Sequence, residues 1–106
     1  MDNVLCSADS ASMKYYFNEE QYGILPKAVK DELRICLVSY CADVGGIIIL
    51  AFGSDYTLSI STIDPIDEIG SELLIKRMRR DKAELFEKLE EFARAYAELT
   101  EKARAN

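Results

Sequence analysis

The chain has 106 residues, of which 49% are hydrophobic and 30% charged, and a formal net charge of −6. That length suits one domain, and folding at this size removes roughly two thirds of the unfolded chain's accessible surface, enough for a core without disulfides or metals. Histidine is absent, which excludes Ser-His-Asp and Cys-His triads, His-ligated metals and an imidazole acting near neutral pH.

The opening MDNVLCSADS has neither a basic start nor a long apolar run, so it does not read as a secretion signal. Val4-Leu5-Cys6 and Met13 to Phe17 read as two short strands, the second rich in aromatics that suit a half-buried pleated surface. The small polar residues Ser7 to Ser12 between them make a loop.

Pro26 suits a first helical turn, and Val29, Leu33, Cys36, Leu37, Tyr40 and Val44 then recur at spacings of three and four, so an amphipathic helix is predicted over 26–43. Gly45-Gly46 supplies its left-handed stop; with no Lys-Ser or helix start following, a cap is favoured over a phosphate cradle. Gly46 to Phe52 reads GIIILAF, with apolar side chains at both parities. An inner strand with both faces covered is therefore expected. Gly53-Ser54-Asp55 is turn chemistry, and Leu58, Ile60 and Thr62 alternate with Ser59 and Ser61, completing a hairpin. Tyr56, beside the turn, is expected to pack across it.

Asp64-Pro65 reads as an N-cap opening a short helical turn, with Asp67 and Glu68 complementing the helix dipole. The same three carboxylates offer no wrapped loop of six oxygens for a hard cation. Gly70-Ser71 reads as a break, with Ser71 a cap. From Glu72 to Ala105 there is no proline or glycine, which predicts one long helix.

Along that helix Ile75, Met78, Lys82, Leu85, Leu89, Phe92, Tyr96, Leu99 and Ala103 form a heptad seam interrupted by one charge. A straight helix over 71–104 would extend about 50 Å, against a diameter of about 34 Å for a compact chain of this size. Its own core is then too small to cover the seam. Ile75, Met78, Leu85, Leu89, Phe92, Tyr96 and Leu99 are accordingly the candidate interface, and a second copy is the expected partner, because two-fold homo-oligomers are the commonest closed assemblies. A different protein partner and a helix merely laid across its own sheet are the alternatives.

Lys76, Arg77, Arg79, Arg80 and Lys82 form a dense basic turn in an otherwise acidic chain. They are candidate anion-binding residues, able in principle to meet phosphates. A solvated helix face balanced by Asp81, Glu84 and Glu87 is the favoured reading, because the overall charge repels nucleic acid.

Cys6, Cys36 and Cys41 are an odd set. Cys36 and Cys41 lie about 140° apart around a helix and cannot pair, and three cysteines without histidine complete no zinc set without a carboxylate or a second chain. They read as reduced thiols, which points to the cytoplasm. The longest uncharged apolar run, Val44 to Phe52, is far short of the ~20 residues that span a bilayer. No membrane association, metal or cofactor is expected.

The strings KYYFNEE, LPKAVKDEL, VGGIIILAF and DEIGSELLIK, followed by a charged terminal helix, resemble a family of small bacterial proteins of unknown function associated with anaerobic Gram-positive bacteria. The resemblance covers Lys14 to about Tyr96. It implies a bacterial cytoplasmic protein and transfers no active-site residue.

The reading is a single α+β domain over 1–106. An antiparallel sheet of three to four strands packs against one helix within 1–70, and a long C-terminal helix over 71–106 is the oligomerisation surface. The expected function is non-enzymatic protein–protein interaction, as a homodimeric adaptor. The alternative is a nucleic-acid or anion binder using residues 76–82, and a carboxylate enzyme built on Asp64 and Glu68 lacks a paired acid and base.

Overall fold

In the computed structural model, which describes residues 3–105, the chain runs β1 (Asn3–Asp9), β2 (Lys14–Phe17), α1 (Glu19–Tyr22), α2 (Lys27–Val44), β3 (Ile47–Phe52), β4 (Leu58–Ile63), α3 (Glu68–Asp81) and α4 (Ala83–Ala105). The architecture is α+β. The strands form one antiparallel sheet in the order β2-β1-β3-β4, so β3 is an inner strand. A bulge between Val4 and Cys6 shifts the β1–β3 register, and Leu5, beside it, is fully buried.

Helix α2 forms where the three-and-four spacing predicts it. Its inward stripe of Leu33, Leu37, Tyr40, Cys41 and Val44 is buried against Cys6, Ala8, Ile48 and Leu50 of the two central strands. Fully burying a leucine or isoleucine contributes roughly 1.5–3 kcal/mol, so this layer is the main source of stability. Gly45 and Gly46 end α2 at φ 73° and 76°. A β-carbon on Gly46 would stand 2.5 Å from the Ile63 carbonyl oxygen, so this glycine is required by both conformation and close approach.

One element is absent from the sequence expectations. The four-residue α1 is set by Asn18, whose side chain accepts from the Gln21 N–H at 3.1 Å and donates to the Val4 carbonyl at 2.9 Å. Tyr22 then packs its ring against Phe52, centroids 5.4 Å apart.

The carboxyl-terminal region corrects the expectation of one continuous helix. Asp64 is not an N-cap but adopts φ 48°. The cap is Asp67, whose carboxylate accepts from the Gly70 N–H at 2.9 Å. Gly70 and Ser71 thus lie inside α3, and the buried Ser71 hydroxyl bonds the Tyr40 hydroxyl of α2 instead of capping anything. The helix stops at Lys82 (φ −108°, ψ 17°), whose N–H still bonds the Met78 carbonyl. Its ammonium reaches Glu32 of α2 at 3.4 Å. This break lets α3 lie on α2 while α4 turns toward β4, where the Glu90 carboxylate accepts from the Leu58 N–H at 2.7 Å.

Gly46→Ala is expected to lower stability by about 1–3 kcal/mol, read as a lower urea midpoint with unchanged slope, whereas Gly53→Ala, with negative φ, changes it less. Equal midpoints for the two variants would contradict the packing described for Gly46.

Candidate functional site

Side chains alternate across a strand, so the register assigns each sheet residue to one of two faces. The inner face, with Leu50, Ile48 and Cys6 at its centre, is buried beneath α2. On the outer face Tyr16, Ser7, Ile49 and Ser61 form one row across the four strands, Lys14, Asp9, Ile47 and Ile63 the next, and Val4, Ala51 and Ser59 a third. Ile47, Ile49 and Ala51 therefore make an aliphatic ridge along β3, with serines beside it on β1 and β4. Tyr16, Ser59, Ser61 and Ile63 are exposed, and among the described residues no helix covers this side. Among the described residues its charges, Asp9 and Lys14, sit at one corner.

The candidate interface on the last helices is placed differently from the sequence expectation. Met78 and Leu89 are buried, and Ile75, Leu85 and Phe92 pack against the same core. Only Tyr96 and Leu99 of the seam are exposed. The break at Lys82 divides the expected helix in two, yet the molecule still extends 50 Å along one axis against 27 and 26 Å along the others, and α4 beyond Ala93 carries the exposed Tyr96 and Leu99. The buried face of α4 is Phe86, Leu89 and Ala93, spaced by three and four like the seam and sharing Leu89 with it, with Leu85 and Phe92 packed beside it. The side chain of Ala103 lies outside the described residues.

The basic turn does not converge on one point. Lys76, Arg77, Arg79 and Arg80 are exposed, and at about 100° per residue they occupy roughly the outward half of α3. Arg80 pairs with Asp81 at 2.9 Å, and Lys82 turns inward to Glu32. The outward side of α3 and the loop before it carry Ile66, Ile69 and Leu73, also exposed. Sequence periodicity could have found this second apolar stripe, since 66, 69 and 73 keep helical spacing.

A groove of about 590 Å³ opens between the β1–β2 connection and α2, bounded by Met13, Tyr15, Arg34, Ile35, Val38 and Ala42. Arg34 stands over the Tyr15 ring, 5.6 Å from its centroid.

The three cysteines are free. Burial pushes the Cys6 thiol up to about 12, and raises Cys36 and Cys41 as well. Raised thiols are poor nucleophiles at neutral pH. The Tyr15 phenol oxygen is buried without a satisfactory hydrogen-bond partner, and its acidity is suppressed first by burial and then by the neighbouring Cys6. Among the described residues no three Cys, Asp or Glu side chains gather as a metal set, and no helix is long and apolar enough to cross a membrane. Asp64, Asp67 and Glu68 stay apart in role, Asp67 serving the helix cap.

Residues 2–102 match DUF6145, described as a family of unknown function. No curated protein and no solved structure matches the chain. The thiols carry a pH signature of their own. In the unfolded chain Cys6 ionises near its ordinary value of 9.0, in the folded chain near 12. Its contribution is therefore intact below pH 9 and declines as pH rises toward 12, by up to roughly 4 kcal/mol. Denaturant titrations between pH 8 and 11 are expected to show this alkaline loss. Cys6→Ala reduces it and leaves a residual slope from Cys36, Cys41 and Tyr15; identical slopes in the two proteins would refute the assignment.

Proposed function

We propose that this chain, which belongs to DUF6145, a family of unknown function, is a non-enzymatic protein-interaction module that works as a homodimer, its outer sheet face packed on that of a second copy. The observation that carries this reading is the aliphatic ridge Ile47, Ile49 and Ala51 on the uncovered side of an inner strand. An antiparallel sheet that faces water ordinarily carries polar residues there. Charge selects a second copy as the occupant, since two chains of net charge −6 approach most easily through a surface whose described charges, Asp9 and Lys14, lie at one corner. Shape favours it too. Ser7 on one flank and Ser59 and Ser61 on the other leave room beside Ile49 and Ala51 for the ridge of a second copy in an isologous two-fold contact, in the sheet-on-sheet packing seen about 10 Å apart in sandwiches.

The size of the face sets the strength. Four strands about 4.8 Å apart and six residues of about 3.3 Å each give a footprint of roughly 400 Å², below the ~800 Å² that a standard interface buries per partner. The dimer is accordingly a weak, exchanging one. Raised thiols support the non-enzymatic part of the reading, because an activated cysteine has the opposite shift. Three unpaired cysteines support a reducing, cytoplasmic setting.

Sedimentation equilibrium across a concentration series is expected to show mass rising from one chain toward two. Ile49→Asp places a charge at the centre of the contact and weakens association at least ~100-fold. Leu99→Asp, on the exposed end of the former seam, leaves it unchanged. A constant single-chain mass, or a dimer insensitive to Ile49→Asp but abolished by Leu99→Asp, would overturn the proposal.

A further inference from the structure

Helix α2 has more apolar surface than its core contact uses. Leu33, Leu37 and Val44 face the sheet, yet Ile35 and Val38 stand on the outward side, 66% and 45% exposed. Opposite them is the β1–β2 connection. The Asp9 carboxylate shapes it, accepting from the Ala11 N–H at 2.9 Å, and it closes with Met13 at φ 55°. A left-handed backbone favours glycine or asparagine. A methionine there, 91% exposed, has no packing within the chain to justify it. Such an outlier at the lip of a cavity points to a function for the side chain, and a flexible thioether is well suited to closing over apolar ligands of variable shape.

The polar lining of the groove between these two walls comprises two cations, Arg34 and Lys14, with Asp9, Ser10 and Ser39. Arg34 makes no salt bridge among the described residues, and its guanidinium is held over the Tyr15 ring. A planar fork of donors without a carboxylate partner is matched by a carboxylate. Asp9, the acid at the groove, has its Oδ1 engaged by the turn. From Arg34 to Ala42 the helix runs about 12 Å, the reach of a medium-length alkyl chain, and the walls Ile35, Val38 and Met13 are aliphatic or thioether. We infer that this groove binds a small amphiphilic monocarboxylate, its head on Arg34 and its alkyl chain lying along Val38 and Ala42 beneath Met13. The site lies beside α2, away from the outer sheet face, and it does not depend on the dimer.

Decanoate is the probe, titrated at submillimolar concentration into the full chain and followed by methyl NMR. Saturable shifts at the methyls of Met13, Ile35 and Val38 are expected. Arg34→Gln weakens binding about tenfold, and decanol binds wild type about as weakly as decanoate binds that variant. Met13→Ser weakens both ligands together. These residues are exposed, so the variants keep the wild-type circular dichroism. No shift at the three methyls would overturn the inference. So would decanol binding as tightly as decanoate with no response to Arg34→Gln, or equal shifts at Ile66, Ile69 and Leu73, the mark of non-specific adsorption.

Discussion

An inner strand with aliphatic side chains on both faces imposes the main constraint on this molecule. β3 is hydrogen-bonded on both edges, to β1 and β4, so neither edge is open. Its Ile48, Leu50 and Phe52 are buried under the helical layer. Ile47, Ile49 and Ala51 point the other way and are half-buried among their sheet neighbours, and among the described residues no second layer lies over them. A single-layered helical cover thus leaves this half of the most apolar strand only partly shielded. Ser7 on β1 and Ser59 and Ser61 on β4 keep the flanks of Ile49 and Ala51 low, while Asp9 and Ile63 flank Ile47, and nearly all the charge of the chain is carried on helices and loops.

Much of this was legible from residue order. The spacing of Leu33, Leu37, Tyr40 and Val44 located α2 to within a residue, and the alternation from Leu58 to Thr62 located the hairpin. The double parity of GIIILAF marked β3 as an inner strand. The carboxyl-terminal helices were less legible, for a physical reason. Leu85 and Phe92 repeat at seven residues and so do Phe86 and Ala93, with Leu89 common to both stripes, so periodicity alone does not say which of the two is turned to the core. Lys82 was visible as an interruption. That it ends a helix follows from its partner Glu32, fifty positions earlier, and from Ser71 being claimed by Tyr40. Pairings of that range leave no local trace.

The candidate surfaces were legible in proportion to their periodicity. The basic turn is obvious in the sequence, yet the structure spreads it over the outward half of α3 among Ile69 and Leu73 and commits Arg80 and Lys82 to carboxylates. The groove beside α2 was invisible, because it depends on Met13 being carried to face Ile35 and Val38 by the β1–β2 pairing. Its lip was predicted to begin a strand; the left-handed φ of Met13 makes it the last residue of the turn instead. The resulting picture has two faces with separate chemistry. A flat, serine-flanked aliphatic face lies on one side of the sheet, and an open groove with a single free guanidinium lies beside the helix that covers the other.

Isotope-filtered NOE spectroscopy on an equimolar mixture of ¹³C-labelled and unlabelled chains reads the contact between copies directly. Cross-peaks between chains at the methyls of Ile47, Ile49 and Ala51 are the predicted result. An associated protein whose only such cross-peaks come from Tyr96 and Leu99, or a spectrum without any at concentrations well above micromolar, would contradict the account.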